Sequence, residues 1–423
     1  MGEPGVKNLS LQKMRTHQNR GFFAFFVVLS IVATVMLSSP LCAQNTRLFP
    51  HSQTSELRGV WLTNIDSDVL FDRDRLKGAL QRLKQLNFNT IYPTVWNWGY
   101  TLYPSQVAQN VIGQGLDPTP GLQGRDILKE IVNVGHKKGL TVIPWFEFGF
   151  MAPADSELAK RHPQWLTSRR NGTQIVKEGR HERVWLNPFH PDVQQFIENL
   201  IVEIVSNYKV DGIQFDDHFG LPVELGYDTY TVSVYKKEHQ GHAPPQNFRD
   251  PEWVQWRANK ITNFLKRIFT AIKASKKSCL VSISPNPQHI SYPFFLADWE
   301  KWERLGLIEE LVLQVYQDNL SIFIKELDSP EVKLAKSHIP VSIGIMAGLK
   351  DKFVPMQQIQ TQVQTVRDHK FAGVSFFFYE TLWNMTKETP QQRQSGFQNL
   401  LRNKREQGAG SREQGSRGVG SGE

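Results

Sequence analysis

Acidic side chains stand where the strand-like runs of this chain give out: Glu147, Asp216, Asp217 and Glu380, with Asp66 just beyond the first run. Two carboxyl groups facing one bond are what glycosidic cleavage needs. One protonates the leaving oxygen, and the other attacks the anomeric carbon or activates water. The run DGIQFDD over 211–217 is the densest of these ends. Alternation puts Gln214 and Asp216 on one face and Phe215 and Asp217 on the other, so a straight strand aims only one aspartate at a site. Asp216, which shares its face with polar Gln214, is the one expected to point into the mouth. Asp217 then either orients a neighbour or turns inward once the strand has ended.

The same ends carry groups suited to a sugar. Asn64, Asp66, Gln214, His218, Asn286 and Tyr316 offer hydrogen bonds, and Trp96, Trp98, Trp145, Tyr379 and Trp383 offer flat apolar faces for pyranose C–H surfaces. A metal reading would draw on Asp216, Asp217 and His218 with His289. No HxH or HExxH spacing supports it, and consecutive strand residues point apart. The chain has no GxSxG elbow and no Gly-rich phosphate loop, so neither serine-nucleophile chemistry nor a bound cofactor is expected.

These residues need a frame that brings strand ends to one rim. Eight short β-branched or aromatic runs occur, at 57–63, 90–96, 140–148, 211–217, 279–285, 310–316, 339–345 and 371–380. Helical patterns alternate with them, at about 74–87, 126–138, 191–208, 252–274, 296–305, 321–336, 356–369 and 391–402. In the first helix Leu76, Leu80, Leu83 and Leu86 recur at three- and four-residue spacing, with Arg75, Lys77, Arg82 and Lys84 opposite. Near-continuous apolar strands alternating with helices imply a parallel sheet under helices. Eight repeats predict an α/β fold of the (β/α)8 TIM-barrel type, and the first strand lacks the GxGxxG that a doubly wound sheet would want. Long connections after strands two, three and four (97–125, 149–190 and 218–251) emerge at the C-terminal face, where clefts are made.

The ends of the chain read differently. Basic residues up to Arg20, the apolar stretch 21–37 and then Leu41-Cys42-Ala43 have the order of an export signal over 1–43, with the uncleaved segment as the alternative, a membrane anchor. A polar linker (44–56), a barrel domain (57–402) and a Gly/Ser/Arg/Glu tail expected to be disordered (403–423) follow. The net charge of +8 is concentrated at both ends, with no basic stripe on any element, so nucleic acid is not an expected partner. Of the two cysteines, Cys279 lies in the apolar run CLVSIS and is expected to be a buried, inert thiol.

ELRGVWLTN (56–64), the Trp145-Phe146-Glu147 strand end, DGIQFDDHF (211–219), LQVYQDN (313–319) and GVSFFFYETLW (373–383) together resemble the glycosyl-hydrolase-like 10 family, over roughly residues 56–385. The resemblance implies a TIM barrel that hydrolyses carbohydrate, with bacterial envelope polysaccharide, including peptidoglycan glycan strands, as substrate class. DGIQFDD is also similar to the fourth-strand motif of the alpha-amylase superfamily, and the nucleophile position carried over from it is Asp216. The chain departs from that motif at Gln214, where arginine is usual, and at the fifth strand end SPNP, which lacks a glutamate. The proton donor is therefore expected elsewhere, first at Glu147 and then at Glu380. Read this way, the chain is an exported glycoside hydrolase; the alternatives are a non-catalytic glycan-binding barrel and a metal-dependent polysaccharide deacetylase.

Overall fold

The structure, a computed structural model, describes residues 56–402. The expected export signal, most of the linker and the tail lie outside the described residues. Nine strands form one sheet, every pairing parallel. Its order is Thr141–Val142, Thr90–Pro93, Leu57–Leu62, Gly373–Phe377, Val341–Met346, Glu310–Gln314, Leu280–Ser284, Gly212–Asp216 and Trp145–Phe146. The outermost members of this order are consecutive pieces of one stretch of chain. Pro144 falls between them and has no N–H for a ladder. Hydrogen bonds reach both neighbours from this stretch: Ile143 N donates to Ile91 O at 3.0 Å, and Gln214 N donates to Pro144 O at 2.8 Å. The sheet is therefore curled, and helices cover its outside.

The helices form as their sequences dictate. Arg73–Gln85 is capped by Asp72, whose carboxylate accepts from Asp74 N and Arg75 N, and it buries Leu76, Ala79, Leu80 and Leu83. The long pattern expected at 321–336 is two helices, Leu320–Leu327 and Pro330–His338, because Pro330 cannot continue the first and fits the first turn of the second. Cys279 is buried, and burial pushes its thiol up to about 11. No helix among the described residues is long and apolar enough to cross a membrane.

Two cores result. Outward-facing strand residues such as Phe146 and Phe215 pack under the helices. Inside the curl lies a smaller set of Trp61, Tyr92, Ile143, Trp145, Val312 and Phe378. Polar groups thread that interior: Trp61 Nε1 donates to Gln214 Oε1 at 2.8 Å, Gln214 Nε2 to Ser282 Oγ at 3.0 Å, and Ser282 Oγ to Glu310 Oε1 at 2.8 Å. The inward face of the fourth strand thus runs from Gln214 up to Asp216.

The connection after the third strand builds a small antiparallel sheet of its own. Met151–Pro153 pairs with His181–Trp185, which pairs with Val176–Glu178. The Glu178–His181 turn between the last two strands carries Glu178 and Arg183 toward the sheet's C-terminal end.

Candidate active site

The fourth strand ends at Asp216, and this decides the geometry of the aspartate pair. With alternation over, Asp217 and His218 turn back, so that one ligand atom from each of Asp216, Asp217 and His218 lies within 4.8 Å of the others. Of the two expectations for Asp217, the inward turn is the one observed. Asp216 is 4% exposed, and its Oδ1 accepts from Gln314 Nε2 at 2.7 Å. Asp217 Oδ2 accepts from Asn286 Nδ2 at 2.6 Å. His218 Nδ1 lies 3.2 Å from Asp217 Oδ1 and 3.5 Å from Asp216 Oδ2.

Glu147 follows the last paired residue of its strand, where Phe215 is opposite Phe146, so Glu147 and Asp216 leave the sheet on neighbouring strands. Its Oε2 accepts from Asn97 Nδ2 at 2.6 Å and from Thr94 Oγ1 at 3.2 Å. Asn97 Nδ2 also reaches Asn64 Oδ1 at 2.9 Å.

The electrostatics follow from this crowding. Burial raises the Glu147 carboxyl to about 7, against the pull of the His218 charge and of the Thr94 and Asn97 donors. Burial and the Asp217 charge hold Asp216 well above the usual carboxylate range. Burial opposes a charge on His218, yet Asp217, Asp216 and Glu178 together keep it well above an ordinary imidazole. Glu178 is partly buried, but His218 and Arg183 bring it down to about 2. Its Oε1 lies 3.1 Å from His218 Nε2, and its Oε2 accepts from Arg183 Nε at 3.1 Å. Burial and the charges of Asp216, Asp217 and Glu147 push the Tyr316 hydroxyl well above its normal range; its ring stacks on Phe377.

The structure thus brings together Asp216, Asp217, His218, Glu147, Asn64, Asn286 and Tyr316 from the expected set. Trp98 adjoins them, with the Arg183 guanidinium 4.5 Å from its ring centre. Beside it opens a cleft of about 480 Å³, lined in part by Asn64, Trp98, Tyr100, Asp117 and Asp155.

Other expected residues sit elsewhere. Trp96 is fully buried, stacked on Phe146 with its Nε1 donating to Gly149 O, so it is core and not a sugar platform. Trp145 and Gln214 fill the sheet interior beneath the aspartates. Tyr379 and Trp383 pack edge to face, and Trp383 is sandwiched by Arg82 and Phe397 against the outer helices. Glu380 accepts from Ser67 Oγ at 3.0 Å and Asn384 Nδ2 at 2.9 Å, outside the aspartate network. Asp66 is exposed and lies 3.6 Å from Lys350 Nζ. His289 faces Glu326 and not the Asp216 cluster.

Gln314, Asn97, Glu178 and Arg183 belong to the site, and none stood among the sequence candidates for catalysis or binding. The first two were visible as polar strand-end residues. Glu178 and Arg183 lie in an insertion whose pairing leaves no readable periodicity over so few residues.

Comparison with known proteins agrees with this frame. The glycoside hydrolase domain of PgaB (BpsB) from Bordetella bronchiseptica superposes with a TM-score of 0.57 at 14% identity, covering 79% of this chain and 99% of that one. The catalytic domain of a beta-amylase from Paenibacillus polymyxa does so with a TM-score of 0.55 at 12% identity, over 82% and 97%. At such identities the likeness shows the fold alone, a TIM-barrel-like one. In sequence the chain is 24% identical over 309 residues to the glycosyl hydrolase DigH of Escherichia coli strain K12, covering 62% of this chain and 65% of that protein. It is 24% identical over 328 residues to the glycosyl hydrolase YngK of Bacillus subtilis strain 168, covering 69% and 59%. The match therefore spans less than two thirds of either relative. The model of the glycosyl hydrolase-like 10 family matches residues 56–366, and the chain belongs to that family.

Proposed function

We propose that this protein is an exported glycoside hydrolase, its curled sheet a closed (β/α)8 barrel, acting on an envelope or extracellular polysaccharide with peptidoglycan glycan strands as the favoured class. The observation that carries the reading is a carboxyl tuned to about 7, Glu147, at the same mouth as the Asp216–Asp217 pair. A general acid works best with a pKa near the working pH, and burial is the usual way to raise a glutamate there.

In this reading Glu147 donates its proton to the glycosidic oxygen. The aspartate pair supplies the opposing carboxylate, with Asp216 as nucleophile or base and Asp217 as its support. Gln314 and Asn286 fix the two carboxyls, and His218 balances the negative charge that the pair carries before the bond is attacked. Trp98 and the cleft beside Asn64 offer a stacking face for a neighbouring sugar ring. The apolar stretch at 21–37, read as part of an export signal, supports placement outside the cytoplasm.

The test is release of reducing ends from purified glycan strands by the wild type, Asp216→Asn and Glu147→Gln. The expected result is a loss of about 10²–10⁴-fold in each variant. Equal, negligible release by all three with glycan binding intact would replace this reading with a non-catalytic glycan-binding one. A metal-dependent deacetylase has one observation in its favour, the closeness of Asp216, Asp217 and His218. Activity unchanged by exhaustive chelation dismisses it.

A further inference from the structure

Away from the aspartates, the insertions after the third and fourth strands enclose a second cleft of about 570 Å³. Its chemistry is basic and aromatic. Arg169, Arg170 and Arg249 line it with Tyr227 and Phe248, and Glu224 is its single acid. Arg169 is used structurally: Nη1 donates to Ile175 O at 2.7 Å, and Nη2 lies 3.3 Å from Glu224. Arg170 and Arg249 form no ion pair among the described residues. The Arg249 guanidinium instead sits 5.5 Å from the ring centre of Phe248 and 4.9 Å from that of Phe294. Both rings are open to solvent, Phe248 at 36% and Phe294 at 46%.

The walls are fixed before any ligand arrives. Arg257 is fully buried beneath the cleft, and its guanidinium donates to the carbonyls of Val223, Leu225 and Phe248. Tyr227 N donates to Ser168 O at 2.9 Å, tying the two insertions together, and Tyr227 Oη donates to Pro245 O at 2.9 Å. A buried cation spent on three loop carbonyls preorganises this surface, which lowers the ordering cost of binding.

We propose that this cleft is a secondary binding site for an anionic glycan: Arg170 and Arg249 take a carboxylate or phosphate group, and Phe248 and Phe294 take the apolar face of the sugar that carries it. Guanidinium groups match planar or tetrahedral anions by forked hydrogen bonds, and exposed rings beside them match pyranose faces. The site rests on the glycan-hydrolase reading for its ligand being a saccharide. Because its walls come from connections that follow strands, it opens on the same face as the aspartates, where a long chain can engage both.

Calorimetric binding by the purified protein tests this. The probes are an oligosaccharide of alternating N-acetylglucosamine and N-acetylmuramic acid, its methyl ester, and a glycerol-phosphate oligomer. The acid is expected to bind about tenfold or more tightly than the ester at low salt, with the gap closing as salt rises. Arg170→Ala with Arg249→Ala should bring the acid to the level of the ester, and Phe294→Ala should weaken both. An arginine-dependent preference shown by the glycerol-phosphate oligomer alone identifies phosphate as the anion. Equal binding of acid, ester and oligomer by the wild type, or a preference that survives in the double variant, overturns the proposal. Binding needs no turnover, so the two readings fail separately: arginine-dependent binding without reducing-end release sinks the hydrolase, and hydrolysis without it sinks the cleft.

Discussion

Glu178 Oε1 lies 3.1 Å from His218 Nε2, so a residue from the insertion after the third strand grips the imidazole that faces both aspartates. Glu178 holds its own charge because His218 and Arg183 bring it down to about 2. Its contribution to the site is therefore present above the ordinary glutamate range and is lost only as pH falls toward 2.

Replacing Glu178 by Gln removes one of the carboxylates that keep His218 protonated. The imidazolium then neutralises at lower pH, and the aspartate pair loses its counter-charge sooner as pH rises. On an aryl glycoside, whose cleavage does not wait on the Glu147 proton, the expected outcome is an alkaline limb of the kcat profile displaced downward by on the order of one pH unit, with KM little changed. A structural role alone would lower kcat uniformly and leave the limb in place. A full pH profile of Glu178→Gln decides between them.

Glu147 sets a limb of its own. A carboxyl near 7 is the acid below that pH and a carboxylate above it, so kcat/KM on an unactivated glycan should fall as pH rises through about 7. In Glu147→Gln the limb disappears with the rate. An aryl glycoside whose leaving group needs no proton should be cleaved by this variant nearly as well as by the wild type. If it is not, the proton donor is another residue.

Much of this frame was legible in the chain. All eight strand-like runs correspond to strands of the sheet, because apolar runs of that length bounded by turn residues have little other use in a helix-covered sheet. The site was legible only where alternation held. Gln214 and Asp216 share the inward face as expected, and Trp96 reads as a rim residue but falls on the outward face, against Phe146. For Asp217 alternation left two outcomes open, because it lies one residue past the strand, where the period of two ends. Glu178 and Arg183 escaped because a contact between an insertion and a strand end leaves no trace in local sequence. Tyr379 and Trp383 misled because the chain turns into a short helix at Tyr379–Leu382 and carries both rings to the outer shell.

Asn97 tunes Glu147 through a single hydrogen bond of 2.6 Å to Oε2. A donor to the carboxylate favours the charged form, so the bond works against the burial that raises Glu147. Asn97→Ala should raise the Glu147 pKa further and move the alkaline limb upward, by on the order of one unit, while kcat below that limb stays near wild type. The direction is opposite to that expected for Glu178→Gln, and the two profiles measured side by side check both. A downward shift in Asn97→Ala would remove Glu147 from the role of acid.

Arg393 joins the rim to the final helix. It is fully buried, and its guanidinium donates to the carbonyls of Leu382, Val354, Ala347 and Thr381. These carbonyls belong to the connections after the seventh and eighth strands, and those of Ala347 and Val354 flank the short Gly348–Leu349 and Lys352–Phe353 ladder without being part of it. Arg393→Met keeps the apolar stem and leaves the carbonyls buried without donors, each costing roughly 1–3 kcal/mol. The loss expected in urea unfolding is about 3 kcal/mol or more. Arg393→Lys should recover little of it, since one ammonium cannot reach four carbonyls spread along the guanidinium plane. A midpoint unchanged in Arg393→Met would mean that water takes over these carbonyls and that the rim holds its shape without the arginine.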